Sequence, residues 1–428
     1  MPIAPNQVYS NRDPSQIEKA FRRFVDSGPS VLAIRGDRPT SDVTRRKMAW
    51  RMPLPPSRPF IKSNCELPKV SFMATVVAPE SFSIPAARKI VHDLFVRQSW
   101  IYWADMLLST AVGYGFASLY MFAVPVSAWQ LAWLAVASFA LFRAGSFIHE
   151  IAHLRRGEMV AFQTVWNLTC GVPMLMPSFF YSNHVDHHNA HRYGTEQDGE
   201  YLPLGSDPLH HVLLFLAQPP LMPVTIFLRF LLSPLTFVHP HLRQWALEHA
   251  SSFVINYRHR LVVPMNAPRR IWALLELACC LRCVLLLALL ALRVRSWVWV
   301  LEMYVLAVCV LSLNYSRNMA AHHYRNTGRE MSHAEQLADS VNLTGNRFGT
   351  ELFFPLGLRY HALHHLFPTL PYHNLGKAHR RLMTQLPADS PYRGTVYPSY
   401  WSVVAELIGN ARASMRPADC KPQPTASS

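Results

Sequence analysis

The sequence has little of what enzymes that carry their own redox group use. It contains only 7 cysteines and 17 glycines in 428 residues. It shows no ferredoxin-like cysteine run, no glycine-rich dinucleotide fingerprint and no His-Pro-Gly-Gly haem motif. Cys279, Cys280 and Cys283 lie inside an apolar run, which predicts small buried side chains rather than metal ligands or disulfides. These absences exclude a chain with its own iron–sulfur cluster, haem domain or nicotinamide site, and they fit a reducing compartment.

Acidic residues are also scarce. The chain has 26 Asp and Glu against 41 Lys and Arg, for a formal net charge of +15 and a pI near 9.7. No nucleic-acid-binding motif accompanies this charge, so we expect no nucleic-acid partner. The basic residues concentrate in the first hundred residues and near the ends of the apolar runs, as is typical of segments held on the cytoplasmic face of a membrane.

Residues 1–98 lack an apolar run long enough to cross a membrane, and no hydrophobic region follows the basic start. The composition therefore predicts a basic, Pro- and Arg-rich, partly flexible cytosolic region rather than a secretory signal, with a transit peptide as the alternative. It would end in an amphipathic helix at about 86–99. Residues 99–386 would form a membrane-embedded domain and residues 387–428 a cytosolic tail.

Long apolar runs dominate the middle of the chain, and four of them approach the ~20 residues that a bilayer core requires. These predicted spans are 101–126, 129–148, 271–292 and 296–315. Two further apolar stretches, 161–180 and 212–232, are interrupted by proline and polar residues. We predict a re-entrant or interfacial segment at 161–180 and an interfacial segment at 212–232. If 212–232 crossed the membrane, the histidine clusters before and after it, at 184–188 and 361–365, would lie on opposite sides of the membrane. We therefore predict an all-α integral membrane protein with about four transmembrane helices and both termini cytosolic.

Histidine is the residue around which the chain is organised. Random placement of 21 histidines would produce about 0.05 HxxHH patterns in a chain of this length, and two are present. An HxxxH pattern precedes them, and each of these spacings brings the rings to one face of a helix. The patterned residues are His149, His153, His184, His187, His188, His361, His364 and His365. Ordinary surface or core histidines explain three such clusters poorly, so the pattern predicts a metal site.

The number of histidines suggests more than one metal ion. Imidazole suits Fe, Zn, Cu and Ni, so the ligand type alone does not name the metal. A zinc site needs three or four protein ligands, whereas the patterns offer eight. Asn318 and His322 stand four residues apart, as on one helical face, and His322 would make nine. The count favours two metals, and we expect iron because such a centre can activate O2 to attack an unactivated C–H bond.

The three histidine patterns, together with Asn318-x3-His322, resemble the integral-membrane fatty acid desaturase family, in particular bacterial members of unassigned substrate. The resemblance runs from about residue 100 to residue 386. It implies a stem of transmembrane helices below a cytosolic helical cap that holds two Fe ions. It also implies that all nine histidines are ligands and that Asn318 acts through a water. No catalytic residue beyond the metal ligands is implied, and no organic cofactor site.

The resemblance predicts an enzyme that introduces a double bond into a long-chain fatty acyl lipid. O2 would be the co-substrate, and a separate ferredoxin- or cytochrome b5-like protein would supply the electrons. A hydroxylase of the same superfamily, acting on a fatty acyl, sphingolipid or carotenoid lipid, is the first alternative. A zinc-dependent membrane lipid hydrolase is the second. A His-rich metal transporter would need polar residues lining the spans, and these spans contain few.

Several neighbours of the histidine patterns have no assigned role at this stage. Four carboxylates could orient the imidazoles or simply be solvated: Asp186, Asp198, Glu200 and Asp339. We expect His191 to be a surface group or to support a ligand rather than to bind metal, and His323 to point away from the site. Arg143 would extend to the membrane interface.

Overall fold

The computed structural model describes residues 83–415, with the exception of residue 257. The chain is mostly helical over this region, as predicted. Almost all of the predicted N-terminal region and the last thirteen residues of the predicted tail lie outside the described residues. The domain boundaries at 98 and 386 therefore stay predictions. Residues 400–413 of the predicted tail form a helix that buries Val403, Leu407 and Ala411.

Fifteen α-helices and two short strands make up the described chain. In order, the helices are α1 (Ile84–Ile90), α2 (Ser99–Phe122), α3 (Ala128–Ala152), α4 (Val160–Trp166), α5 (His184–His187), α6 (Leu209–Leu216), α7 (Gln218–Leu231), α8 (Pro240–His249), α9 (Arg269–Ala291), α10 (Trp297–Asn318), α11 (His333–Asp339), α12 (Arg347–Phe353), α13 (His361–Leu366), α14 (Tyr372–Gln385) and α15 (Tyr400–Ala413). The strands are β1 (Asn342–Leu343) and β2 (Val396–Tyr397). Helix α1 ends at Ile90, so the amphipathic helix predicted at 86–99 is shorter than expected.

Three helices are long and apolar enough to cross a membrane, namely α3, α9 and α10. Helices α6 and α7 pass the same test only as a pair, and they meet at an angle of 46°. Such a pair is either a broken span or a re-entrant loop, which makes three or four candidate spans in the described chain. Pro219 and Pro220 follow the break directly, where their missing N–H groups fall in the first turn of α7.

The first predicted span, 101–126, forms α2, but this helix is not among the candidate spans. Its serine, glycine and tyrosine residues lower its hydropathy. It instead packs along α3, and a Cβ at Gly113 would come within 2.6 Å of the Leu141 side chain. The absence of a side chain at Gly113 therefore allows the two helices to approach closely.

An ion pair near the start of α2 joins the same two helices. The Arg143 Nε donates to Asp105 at 2.7 Å, and the Tyr372 hydroxyl donates to the second carboxylate oxygen at 2.9 Å. From the sequence, Arg143 was expected to extend to the membrane interface. In the structure it instead pairs with Asp105. A partly buried arginine is stabilised better by a carboxylate on the neighbouring helix than by its hydrocarbon stem alone.

Residues 161–180 do not form one long helix, in agreement with the interruptions seen in the sequence. Helix α4 passes into a π-helical turn at Asn167–Gly171, and a 3-10 helix follows at Ser178–Tyr181. The Asn167 side chain bridges the Gln163 carbonyl and the Ser178 hydroxyl at 2.8 and 3.0 Å. These contacts satisfy polar groups that an unbroken helix would have paired within itself. The Trp166 Nε1 donates to the Ala144 carbonyl at 2.8 Å and attaches the segment to α3.

A very small parallel sheet positions the third histidine pattern. β1 pairs with β2 in the register Asn342↔Val396 and Leu343↔Tyr397. Ala362 N donates to the Val341 carbonyl at 3.1 Å, so the first turn of α13 is tied to the start of β1. The third pattern is therefore located by backbone hydrogen bonds between distant parts of the chain.

Glu276 connects three helices and generates the first prediction. Its carboxylate is fully buried and accepts from Arg229 of α7 at 2.5 Å and from Arg243 of α8 at 2.9 Å. Glu276→Gln removes the charge and leaves two guanidinium groups without a carboxylate, so we expect a loss of about 3 kcal/mol. Thermal unfolding in detergent measures the effect. Glu335→Gln, which breaks an exposed pair with Arg329, is the control, and equal unfolding temperatures for the two variants would contradict the prediction.

Candidate metal centre

The fold brings all nine predicted histidines into two adjoining groups. Within each group, one candidate ligand atom from every residue lies within 4.8 Å of the others. The first group is His149, His153, His184, His188 and His364, and the second is His187, His322, His361 and His365. Each group could hold a metal ion. That these residues ligate metal stays a prediction, but their convergence is a property of the fold.

Helix ends supply the side chains. His149 lies in the last turn of α3 and His153 is the residue that caps that helix. Helix α5 is a single turn, His184–His187, with His188 as its C-cap. A turn this short has little stability of its own, because nucleation costs more than one hydrogen bond returns. Its conformation is therefore maintained by contacts of its side chains with the rest of the site.

The two groups divide the histidine patterns between them. His184 and His188 of the second pattern belong to the first group, whereas His187 belongs to the second group. In the third pattern, His364 belongs to the first group, and His361 and His365 belong to the second. In each of the two HxxHH patterns, the i and i+4 rings therefore face one group while the i+3 ring faces the other. The sequence spacing predicted that all rings of a pattern share one face of a helix. The structure shows that the rings of each HxxHH pattern are divided between the two groups.

His322 reaches the second group by a route that sequence spacing did not predict. Helix α10 ends at Asn318, and Ala320 and Ala321 turn back on the Arg317 and Asn318 carbonyls at 3.1 Å. His322 then forms an isolated antiparallel bridge with Ser340. Asn318 and His322 thus do not share a helical face, because the helix has already ended. Both nevertheless line the same small void beside the histidines.

The Nε2 atoms of the rings point at one another. In the first group, His184 Nε2 lies 3.0 Å from His153 Nε2 and 3.1 Å from His188 Nε2. In the second group, His322 Nε2 lies 3.2 Å from His187 Nε2 and 2.9 Å from His361 Nε2. Ligands that sit at roughly 2.0–2.1 Å from one metal and subtend a right angle are about 3 Å apart. The spacing therefore fits nitrogen atoms around a shared ion.

Carboxylates behind the rings decide which nitrogen carries the proton. His184 Nδ1 lies 2.8 Å from Glu200, and His187 Nδ1 lies 2.8 Å from Asp198. An ionised carboxylate only accepts hydrogen bonds, so each Nδ1 donates its proton, and each Nε2 keeps a lone pair, when its carboxylate is ionised. A histidine that binds metal is usually held by a partner of this kind.

Tyr193 determines which nitrogen of His322 carries the proton. Its hydroxyl donates to Asp339 at 2.8 Å and lies 2.7 Å from His322 Nδ1, which must therefore donate to the phenol oxygen. His322 Nδ1 is 3.8 Å from Asp339, so the tyrosine links the two. Sequence analysis missed Tyr193. The only signal was its place in the polar stretch after the second pattern, and an isolated tyrosine is not distinctive.

Burial keeps most of the imidazoles neutral, which is the form that binds metal. Burial and the neighbouring histidines lower the pKa of His184, His188, His364 and His365 well below its usual value. Burial also lowers the pKa of His187, but the carboxylates of Asp198, Glu200 and Asp339 together outweigh burial, and the net shift of the pKa is upward. Burial raises the pKa of Glu200 to about 7, against the lowering effect of His187 and of the hydrogen bond from Tyr181.

His149 provides an independent sign that the site fits metal ions. Its Nε2 atom is buried and has no hydrogen-bond partner within residues 83–415. A buried polar atom without a partner is costly in a folded protein. Together with the convergent lone pairs, it shows that the donor set is incomplete without something that accepts electron pairs, and metal ions do so.

The neighbouring histidines and acids have other partners. His191 is exposed and contacts Glu330, and His323 contacts Glu406 at 3.4 Å, so neither belongs to the two groups. Asp186 pairs with Arg192 rather than with an imidazole. Of the four carboxylates left open by the sequence, Asp198 and Glu200 therefore contact histidines directly, and Asp339 acts mainly through Tyr193.

A large apolar cavity adjoins the site. Its volume is about 520 Å³, and aliphatic and methionine side chains from α2, α3, α7, α9 and α10 make up most of its wall. This volume falls in the range of small-molecule pockets, roughly 300–1,000 Å³. Five residues line both this cavity and the small void between the histidines: His149, Tyr181, Glu200, Arg317 and Asn318. The cavity therefore reaches the candidate metal centre.

Comparison with known proteins covers the same part of the chain. The family model for fatty acid desaturases matches residues 127–396, which include all nine histidines and Asn318. A ceramide hydroxylase from Caulobacter vibrioides (strain NA1000 / CB15N) is 36% identical over 342 residues, or 79% of this chain and 96% of that protein. No solved structure matches the chain.

Removing one histidine from each group tests the division into two sites. If each group binds one ion, His364→Ala should deplete the first ion and His187→Ala the second, and each variant should hold about one metal per chain. Metal analysis of detergent-purified protein measures the content. The control is His191→Ala, because the His191 ring is exposed and lies beside the second pattern. This variant should keep the wild-type metal content. Full metal content in both His364→Ala and His187→Ala would contradict the assignment.

Asp198 and Asp186 form a matched pair of carboxylates next to the second pattern. Asp198→Asn removes the charge that holds the His187 ring, so we expect metal affinity to fall about 10–100-fold. Asp186→Asn removes a charge that pairs with Arg192 only, and should leave the affinity nearly unchanged. Competition with a chelator measures both. An equal effect of the two substitutions would mean that the Asp198–His187 contact does not support metal binding.

Proposed function

The chain belongs to the fatty acid desaturase family, and we propose that within this family it is an O2-dependent lipid hydroxylase that acts on ceramide. The observation that carries the proposal is the similarity to a ceramide hydroxylase over 96% of that protein's length. The desaturase activity expected from the sequence is the alternative within the same family. Family membership gives no support to the zinc-dependent hydrolase or to the transporter.

The donor set supports two bound metal ions, and we propose iron. The nine histidines would hold the ions, and Asn318 would contribute through a water. When bound, two iron ions would activate O2 for attack on an unactivated C–H bond. Hydroxylation consumes O2, two electrons and two protons, and it yields the alcohol and one water. Desaturation takes the same inputs but releases two waters and leaves a double bond.

The protein's own groups would orient the ligands and exclude water. Asp198 and Glu200 fix the tautomers of His187 and His184 by accepting from Nδ1, so the Nε2 lone pairs are available without rearrangement. Tyr193 transmits the same constraint from Asp339 to His322. The apolar cavity would bind the lipid chains and keep bulk water from the site. This preorganisation supports the proposal, since a misplaced substrate carbon would not react.

The electron donor and the membrane orientation belong to the same proposal. The chain would receive electrons from a separate ferredoxin- or cytochrome b5-like protein, since the sequence shows no ferredoxin-like cysteine run, no glycine-rich dinucleotide fingerprint and no His-Pro-Gly-Gly motif. Its net charge of +15 would favour an acidic partner. We propose that the histidine groups and both termini face the cytosol. Asn374 Nδ2 donates to the Leu94 carbonyl at 2.7 Å, and the Phe95 ring lies 5.7 Å from that of Phe367, so residues 94–95 pack beside the end of α13.

Lipid analysis of a host that makes ceramide but cannot hydroxylate it tests the proposed function. Cells that express the protein should accumulate ceramide heavier by one oxygen atom, as seen by mass spectrometry of total lipids. His364→Ala should abolish the product, because one missing ligand disables the metal centre. Ceramide lighter by two hydrogen atoms would establish desaturation instead. Identical lipids in wild-type and His364→Ala cells, with several electron donors supplied, would contradict both.

A further inference from the structure

Arg317 occupies the boundary between the apolar cavity and the histidine groups. It lies in the last turn of α10, next to Asn318, and it lines both the cavity and the small void. Only 7% of its surface is exposed. A lipid whose chains fill the cavity would therefore have some of its atoms beside this guanidinium when a carbon reaches the histidines.

The guanidinium has unused hydrogen-bonding capacity. Its Nη2 donates to Asn314 Oδ1 at 3.1 Å, while Nε is buried with no partner in the part of the chain that the structure describes. No ion pair joins Arg317 to a carboxylate among those residues. The C-terminal end of α10 stabilises its charge to some extent, but does not satisfy Nε. A buried arginine without such partners is costly to keep, which points to a ligand that supplies an oxygen acceptor.

The surrounding groups indicate which acceptor would fit. Glu200 lines the same boundary, where it accepts from Tyr181 at 2.7 Å and contacts His184. Its carboxylate disfavours an anionic head group such as a fatty acid carboxylate or a phosphate. Most of the remaining wall is apolar. A neutral oxygen within an otherwise hydrocarbon ligand fits this combination, and the amide carbonyl of a ceramide is such a group.

We propose that Arg317 is a positioning residue that donates to the amide carbonyl oxygen of ceramide and thereby selects the carbon that is hydroxylated. The inference rests on the proposed function. Because Arg317 lines the same void as His149, His187 and His322, an amide held there puts the reacting carbon within a few bonds of the amide. Carbons far along either chain would lie in the cavity, away from the histidine groups.

The test compares two substrates in membranes that contain the full-length protein. One is a saturated ceramide, and the other is its thioamide analogue, in which sulfur, a weaker acceptor, replaces the carbonyl oxygen. Wild-type protein should prefer the amide and hydroxylate one position close to it. Arg317→Met should lower kcat/KM for the amide about ten- to a hundredfold, as expected for one lost hydrogen bond to a charged group. It should also lose the preference for the amide and spread the hydroxyl group over several carbons.

Two further variants separate positioning from a structural role. Arg317→Lys keeps the charge and should restore part of the amide preference. Arg329→Met removes an arginine at an exposed position and should behave as wild type. Metal content is measured for each variant.

The outcomes distinguish this proposal from the proposed function. An active Arg317→Met protein that keeps the amide preference and the single product position overturns the role of Arg317 only. Loss of metal in both Arg317→Met and Arg317→Lys would make the residue structural and would also overturn it. Wild-type membranes that hydroxylate neither lipid, with several electron donors supplied, would overturn the proposed function itself.

Discussion

The structure depends on one electrostatic constraint: nine imidazoles, six buried and three half-buried, must direct their lone pairs into two small volumes. Neutral nitrogen atoms about 3 Å apart repel one another unless a proton or a cation lies between them, and in the first group His184 has its proton on the other side of the ring. The backbone must therefore hold the rings against their mutual repulsion. It does so with the end of α3, with the short helices α5 and α13, with the bridge at His322 and with carboxylates behind the rings.

This constraint explains why the site lies where the helices end. A helix inside a bilayer satisfies its own backbone hydrogen bonds, so it can hold only a few polar side chains without further support. At the end of α3, after Asn318 and in the loops beyond, the chain leaves regular helix and can supply partners such as Asp198 and Tyr193. The apolar walls of the cavity come from the helices themselves. In the described chain, the cavity and the histidine groups meet at the junction of these two environments, where the lipid and the metal ions of the proposed function would come together.

Arg317 and Glu200 carry opposite charges and both lie at that junction, but no ion pair joins them in the described part of the chain. Glu200 is engaged by Tyr181 and His184, while the arginine keeps a free Nε. Buried charges of this kind lower stability and are retained mainly where they contribute to function. The arrangement is also asymmetric, with a cation on α10 and an anion on the loop after α5. Because the two charges lie on different elements, they can orient a neutral polar group as well as attract it.

The local pattern alone determined the helical class, the apolar runs of α3, α9 and α10, and the nine histidines that converge. Spacings of three and four residues and runs of about twenty apolar residues are properties of a single segment, and they can be recognised without knowledge of the tertiary structure. Only the tertiary structure decided that each HxxHH pattern divides between two groups. It also decided that α2 falls outside the candidate spans and that His322 reaches the site through a bridge to Ser340 rather than along a helix. The same holds for the partners Asp198, Glu200 and Tyr193 and for the position of Arg317. These features depend on contacts between residues far apart in the chain, and no short-range periodicity encodes which distant segment a side chain will meet.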